Sequence, residues 1–187
     1  MRIITGRAKG VRLETLEGEK TRPTAERVKE AVFSMLRFDI EGRRVLDLFA
    51  GSGQMGLEAI SRGAREAVLV DKARDAVSII NKNVAKTKLG EECRVLCMDY
   101  AEYIRRFGGE KFDIIFLDPP YAAGLYAPAL SALLDAGMLK ETSLIVCESD
   151  CKEIFGKNTE LARKFAEVKV SRYSKTVITI LTPAKEA

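Results

Sequence analysis

Apolar residues recur along this chain with two periods that take turns. Between Val45 and Cys147, short apolar runs alternate with longer segments whose apolar positions fall three and four residues apart. The first pattern suits buried strands, the second amphipathic helices. Strands are expected at Val45–Phe49, Ala67–Val70, Arg94–Met98, Phe112–Leu117 and Leu144–Cys147. Helices are expected at about Met55–Arg62, at about Ala73–Lys88 with Val77, Ile80 and Val84 on one face, through Tyr103 and Ile104, and at about Tyr126–Ala136. Upstream, Thr24 is placed to cap a helix to about Phe38, with Val28, Ala31, Val32, Met35 and Leu36 on one side. Residues 2–6 and 11–16 read as a β-hairpin with the basic tip Arg7-Ala8-Lys9-Gly10. Residues 167–173 and 176–182, joined by Ser174-Lys175, read as a second, antiparallel hairpin.

Repeated strand–helix units predict an α/β, Rossmann-like fold: a mostly parallel sheet with helices on both faces. The closing hairpin adds antiparallel pairing at one edge. Residues 1–23 are expected to form a basic N-terminal extension and residues 24–187 the main domain. In such sheets ligands bind beyond the carboxyl ends of the strands, where strand order reverses. The motifs that carry chemistry here all follow predicted strands.

The length of 187 residues suits one domain, and 47% hydrophobic with 31% charged residues suits a folded globular chain. No apolar run approaches the roughly 18 residues of a membrane span, and the first residues lack the apolar stretch of a signal peptide, so a cytoplasmic location is expected. There is no histidine. That excludes a Ser-His triad, a Cys-His pair and a His-ligated metal, and no metal site is expected. Residues 1–44 carry 11 lysines and arginines against 7 acids, the whole of the chain's +4. A basic flank on a neutral body fits a polyanion such as nucleic acid, although a solvated surface has the same composition. Cys93 and Cys97 would lie about 13 Å apart along a strand, too far to share one zinc ion. With Cys147 and Cys151 they are expected to be buried free thiols.

Asp47-Leu48-Phe49-Ala50-Gly51-Ser52-Gly53-Gln54-Met55-Gly56 closes the first core strand and opens a helix. Glycines let the backbone approach a ligand, and a helix N-terminus offers free N–H groups. Asp71, 20 residues beyond Gly51, ends the next strand, where it can accept from a ribose diol. The loop also fits the dinucleotide pattern G-x-G-x-x-G. Asp47, however, would repel a pyrophosphate and welcome a cationic ammonium or sulfonium. Asp99, after the third strand, is placed to accept from an adenine amino group. S-adenosylmethionine has the adenosine and both cations but no phosphate.

Asp118-Pro119-Pro120-Tyr121 follows the fourth strand. Two prolines remove two donors and stiffen the chain, leaving carbonyls and the Asp118 carboxylate as fixed acceptors, with Tyr121 as an aromatic face. This suits a planar group bearing an exocyclic NH2. Acceptors on both hydrogens turn the nitrogen lone pair toward a sulfonium methyl, and Asp118 meets the positive charge that develops. Asp118, Pro119, Pro120 and Tyr121 are the candidate catalytic set.

With both motifs present, the sequence resembles the S-adenosylmethionine-dependent amino-methyltransferases, and within them the bacterial small-subunit (16S) ribosomal RNA guanine-N2 methyltransferases, the RsmD family. The likeness rests on Arg2-Ile3-Ile4-Thr5-Gly6, Thr21-Arg22-Pro23-Thr24, Arg27 to Phe33, Asp47 to Gly53, Gly56-Leu57-Glu58-Ala59 and Asp118 to Tyr121. It implies a seven-stranded sheet with one antiparallel strand. It implies that Asp47, Phe49, Gly51, Ser52, Gly53, Asp71, Lys72, Asp99 and Tyr100 hold the cofactor, that Asp118 to Tyr121 hold a flipped guanine, and that Arg2, Arg7, Lys9, Arg22 and Arg27 meet RNA phosphates, with Arg22 and Thr24 alternatively reaching the cofactor. The partner implied is small-subunit ribosomal RNA or the assembled subunit, and the enzyme is expected to be a monomer. Rival readings are an amino-methyltransferase acting on adenine N6 or a protein amide, a noncatalytic RNA-binding assembly factor, and an NAD-dependent oxidoreductase.

Overall fold

A computed structural model describes residues 1–16, 23–120, 124–151 and 153–185. Seven strands form one sheet: β1 (Arg44–Asp47), β2 (Glu66–Asp71), β3 (Cys93–Cys97), β4 (Phe112–Leu117), β5 (Leu139–Ser149), β6 (Phe165–Tyr173) and β7 (Thr176–Pro183). Their order is β3-β2-β1-β4-β5-β7-β6. The first five run parallel, and β7 lies antiparallel between β5 and β6. The antiparallel strand thus sits one place in from the edge. Among the described residues, six α-helices accompany the sheet: α1 (Pro23–Met35), α2 (Gln54–Ser61), α3 (Arg74–Thr87), α4 (Tyr100–Phe107), α5 (Tyr126–Asp135) and α6 (Thr159–Arg163).

Alternation along the central strands sorts their side chains into two cores, as a period of two must. Val45, Ala67, Leu69, Ile114 and Phe116 join the core under α1, α2 and α3. Leu46, Val68, Val70, Ile115 and Leu117 join the core under α4, α5 and α6. β4 (FDIIFL) is buried at every position, so it reads as an apolar run broken only by Asp113, whose carboxylate pairs with Arg43 and Lys140.

Several expectations need correction. α1 begins at Pro23 and ends at Met35, so Thr24 lies in its first turn rather than at its cap, consistent with the preference of proline for a first helical position. β5 starts at Leu139, five residues early, because Lys140 and Glu141 break the apolar pattern while the backbone still pairs, with Leu139 opposite Phe112. α6 was not expected: it is five residues long, capped by Asn158, whose side chain accepts from the Leu161 N–H. Cys97 and Cys151 are exposed, not buried, because β3 is an edge strand and Cys151 follows the end of β5. The buried face of α3 is Ala76, Ile80, Asn83 and Thr87, with Val77 and Val84 only half-buried.

The N-terminal residues fold back on themselves as a short antiparallel hairpin, with Arg2 opposite Arg12, Ile3 N–H donating to Val11 O and Leu13 N–H donating to Met1 O, rather than as two full strands over 2–6 and 11–16. Pairing with the body takes over. The Glu58 carboxylate of α2, fully buried, accepts from the N–H groups of Ile4 (2.8 Å) and Thr5 (3.0 Å). Ser61 at the end of α2 donates to Thr5 O and accepts from the Ala8 N–H. Lys29, also buried, lies 3.3 Å from Glu58 and donates to Arg2 O. A buried carboxylate needs such partners, and here two backbone N–H groups, Lys29 and Arg62 supply them. Ile3, Ala8 and Leu13 enter the same core as α1, so the segment is packed into the body.

Candidate active site

A cavity of about 460 Å³ opens at the carboxyl ends of β1, β2, β4 and β5, on either side of the point where strand order turns from β1 to β4. The position is the one expected for ligands of an open parallel sheet, and the volume lies in the range of small-molecule sites. Its wall takes in Asp47 and Phe49 to Ser52 from the glycine loop, Asp71 and Lys72 from the end of β2, Asp99 and Tyr100 from the start of α4, and Asp118, Pro119 and Pro120 beyond β4. The two motifs, 67 residues apart from Gly51 to Asp118, therefore share one chamber. Gly53 packs behind the wall.

The glycine loop owes its path to local chemistry. Gly51 and Gly53 have φ of 53° and 76°, a region other residues adopt at a cost. A Cβ on Gly53 would also press on Ile80 at 3.3 Å. Asp71 ties the loop to β2: one carboxylate oxygen accepts from the Gly51 N–H (2.9 Å) and the other from the Ala73 N–H (2.8 Å). A carboxylate accepts about four hydrogen bonds, so Asp71 keeps capacity for a ligand. Asp99 is the N-cap of α4, two residues beyond the end of β3, and accepts from the Ala101 N–H (2.9 Å). Phe49 and Tyr100 face each other across the chamber wall with ring centroids 5.3 Å apart.

Asp47 is buried, and its one charge-stabilising contact among the described residues is the Gly56 N–H at 3.2 Å. Burial pushes its pKa from 3.8 to about 7, and the neighbouring Asp71 adds to the rise. Glu148, at the carboxyl end of β5, is raised in the same way by burial. Among the described side chains that line the cavity, five carboxylates (Asp47, Asp71, Asp99, Asp118 and Glu148) face one ammonium, Lys72. That balance opposes a pyrophosphate and favours a ligand carrying positive charge. In addition, the Gln54 side-chain oxygen is buried without a hydrogen-bond partner among the described residues, an acceptor left over at the same wall.

Glu148 and Gln54 were not anticipated. Glu148 had a signal, since it is a fourth acid directly after an apolar strand. Of the other expected residues, Asp118 and Pro120 are exposed and Pro119 is buried. Tyr121 and Arg22 lie outside the described residues. Arg2 and Arg7 are exposed but paired, with Glu26 at 2.9 Å and Glu92 at 2.6 Å. Such exposed pairs contribute little and exchange readily for a phosphate. Lys9 and Arg27 are exposed and form no ion pair with a described residue, and Arg12, which was not anticipated, matches them. Among the described residues, no three metal-binding side chains cluster, and no helix is long and apolar enough to cross a membrane.

Comparison with known proteins agrees with this geometry. The ribosomal RNA small subunit methyltransferase D of Escherichia coli strain K12 is 37% identical over 150 residues, 80% of this chain and 75% of that one. The solved structure of yhhF from Escherichia coli superposes with a TM-score of 0.85 at 30% identity, over 100% of this chain and 99% of the other. The fold is shared more widely: SMU.776, solved as a complex with SAH, matches with a TM-score of 0.70 at 18% identity over 85% of this chain and 49% of that one. The family described as Conserved hypothetical protein 95 matches residues 1–182. The chain is a member of that family, the RsmD family, and has the class I methyltransferase fold.

Proposed function

We propose that this chain transfers a methyl group from S-adenosylmethionine to the exocyclic N2 of a guanine in small-subunit ribosomal RNA. The observation that carries the reading is the single chamber that joins an acid-rich cofactor wall to Asp118-Pro119-Pro120. The name of the Escherichia coli relative supports ribosomal RNA as the substrate class. When bound, the cofactor supplies an electrophilic methyl on a sulfonium. Asp47 and Glu148 are the acids suited to its cationic end, Asp71 to the ribose hydroxyls and Asp99 to the adenine amino group. The side chains of Phe49 and Tyr100 give the apolar surface that an adenine needs.

On the other side of the chamber, Asp118 accepts a hydrogen of the target amine and offsets its developing positive charge. Pro119 and Pro120 hold that carboxylate and the nearby carbonyls in place, and Tyr121 supplies a face for the base. A base stacked and paired inside a duplex cannot present its amino group to Asp118, so the nucleotide must be flipped or already unpaired. The cations we assign to the surrounding phosphates are Arg2, Arg7, Lys9, Arg12, Arg22 and Arg27. The partner is small-subunit ribosomal RNA or the assembled subunit, met in the cytoplasm by a monomeric enzyme.

The test is Asp118→Ala. Methyl transfer to small ribosomal subunits should fall by a factor of at least about 10², the scale of losing one preorganised charge-stabilising group, while S-adenosylhomocysteine still binds. Normal turnover by this variant would remove Asp118 from the reaction.

A further inference from the structure

Asn83 belongs to neither motif, yet it touches both ends of the machinery. It is fully buried on α3, on a face otherwise meant for apolar contact. Its Oδ1 accepts from the Glu14 N–H at 2.8 Å, and its Nδ2 donates to Glu14 O at 3.0 Å and to Ser52 O at 2.9 Å. Both amide hydrogens and the carbonyl are therefore used. Ser52 is in the cofactor wall. Glu14 ends the N-terminal segment that carries Arg7, Lys9 and Arg12, and two residues on, Leu16 enters the same wall. One side chain thus clamps the cofactor loop to the backbone of the basic segment.

A second link runs in parallel. α2 begins at Gln54, directly after the glycine loop, and ends at Ser61. Along it, Glu58 and Ser61 hold the backbone of Ile4, Thr5 and Ala8. A ligand that fixes the glycine loop therefore fixes both attachments of the basic segment, and the ordering cost is met once for two binding events.

We propose that Asn83 is a positioning residue that couples cofactor binding to RNA binding, so that each ligand tightens the other. The proposal rests on the reading of residues 2–12 as an RNA-contacting segment. Linkage requires the effect to be reciprocal. A buried amide is needed because aspartate keeps the acceptor for Glu14 N–H but loses both donors, and alanine loses all three bonds.

The experiment measures affinity for S-adenosylhomocysteine with and without saturating small ribosomal subunits from cells lacking this protein, and affinity for the subunits with and without S-adenosylhomocysteine. In the wild-type chain each should tighten the other by about fivefold or more. In Asn83→Ala the mutual effect should fall to about half of the wild-type value or less, the remainder being carried by the α2 link. Ser143→Ala is the control: it removes a buried hydroxyl that donates to Phe112 O at the opposite end of the sheet, and it should keep the coupling. Should Asn83→Ala fail to fold, hydrogen exchange on the wild-type chain decides instead: S-adenosylhomocysteine alone should slow exchange of the Glu14 amide at least fivefold. Unchanged coupling in Asn83→Ala, absent coupling in the wild type, or unchanged Glu14 exchange overturns the proposal while leaving the cofactor site standing. Failure of S-adenosylhomocysteine to bind the wild-type chain overturns the cofactor reading and the proposal with it. Failure of the subunits to bind overturns the RNA reading and the proposal, and leaves the cofactor site intact.

Discussion

Asp47 is a carboxylate that the ligand-free fold holds against its own stability. In the unfolded chain it ionises near 3.8, and in the folded chain near 7, chiefly because burial leaves it with one N–H contact. A raised folded pKa contributes stability that is full below 3.8 and is lost as pH rises to 7. The loss across that window is on the order of 4 kcal/mol, at about 1.4 kcal/mol for each tenfold change in proton affinity. Asp47→Asn keeps the shape and an acceptor for the Gly56 N–H but cannot ionise. Urea unfolding of the two ligand-free proteins should therefore show nearly equal stability at pH 4. At pH 7.5 the variant should lead by roughly 3 kcal/mol, since every other titrating group is common to both. The same variant should bind S-adenosylmethionine at least tenfold more weakly, because the cationic end loses its charge partner. Wild-type affinity should climb with pH up to about 7 and then level off, as the carboxyl must ionise to meet the ligand. A stability gap that stays constant from pH 4 to pH 7.5 would refute burial of an ionisable Asp47 as the source of the effect.

Other consequences follow from particular contacts. Gly6 has φ of 87°, and a Cβ there would stand 1.7 Å from Ser61 O, a backbone atom. Gly6→Ala should therefore displace the N-terminal segment, costing about 2 kcal/mol or more in urea unfolding, and should weaken binding to small ribosomal subunits. Replacing Arg7 and Lys9 by alanine should weaken that binding too and lower its dependence on salt, with the slope reduced by up to about two charges. Among the thiols, burial pushes Cys93 and Cys147 up to about 12. Iodoacetamide on the native protein, read by mass spectrometry, should therefore label the exposed Cys97 and Cys151 first and Cys147 only on unfolding.

The central strands and their helices were legible because burial on both faces leaves a nearly continuous apolar run, as at β4 where only Asp113 interrupts it, and because each run ends in an acid followed by a loop. That same regularity placed Asp47, Asp71, Asp99 and Asp118, all of which line one cavity. Glu148 carries the same signal, an acid directly after the apolar run Leu144–Cys147, but no glycine or proline motif marks it. Asn83, Glu58 and Lys29 escaped for a different reason. Each is a polar side chain on a buried helical face, and its partners are backbone groups of the N-terminal segment, 27 to 69 residues away. Helical spacing names the face but not what a polar group on it will hold. The basic flank was legible as charge, but not that Lys29 is buried or that Arg2 and Arg7 are paired on the surface.

The central claim is tested most directly by transferring labelled methyl from S-adenosylmethionine to small ribosomal subunits of cells lacking this protein, digesting the RNA to nucleosides and identifying the labelled one. The account predicts label in N2-methylguanosine. Label in a methyladenosine or in protein would contradict the assignment of the base, and no label, with the cofactor still bound, would contradict the assignment of the substrate.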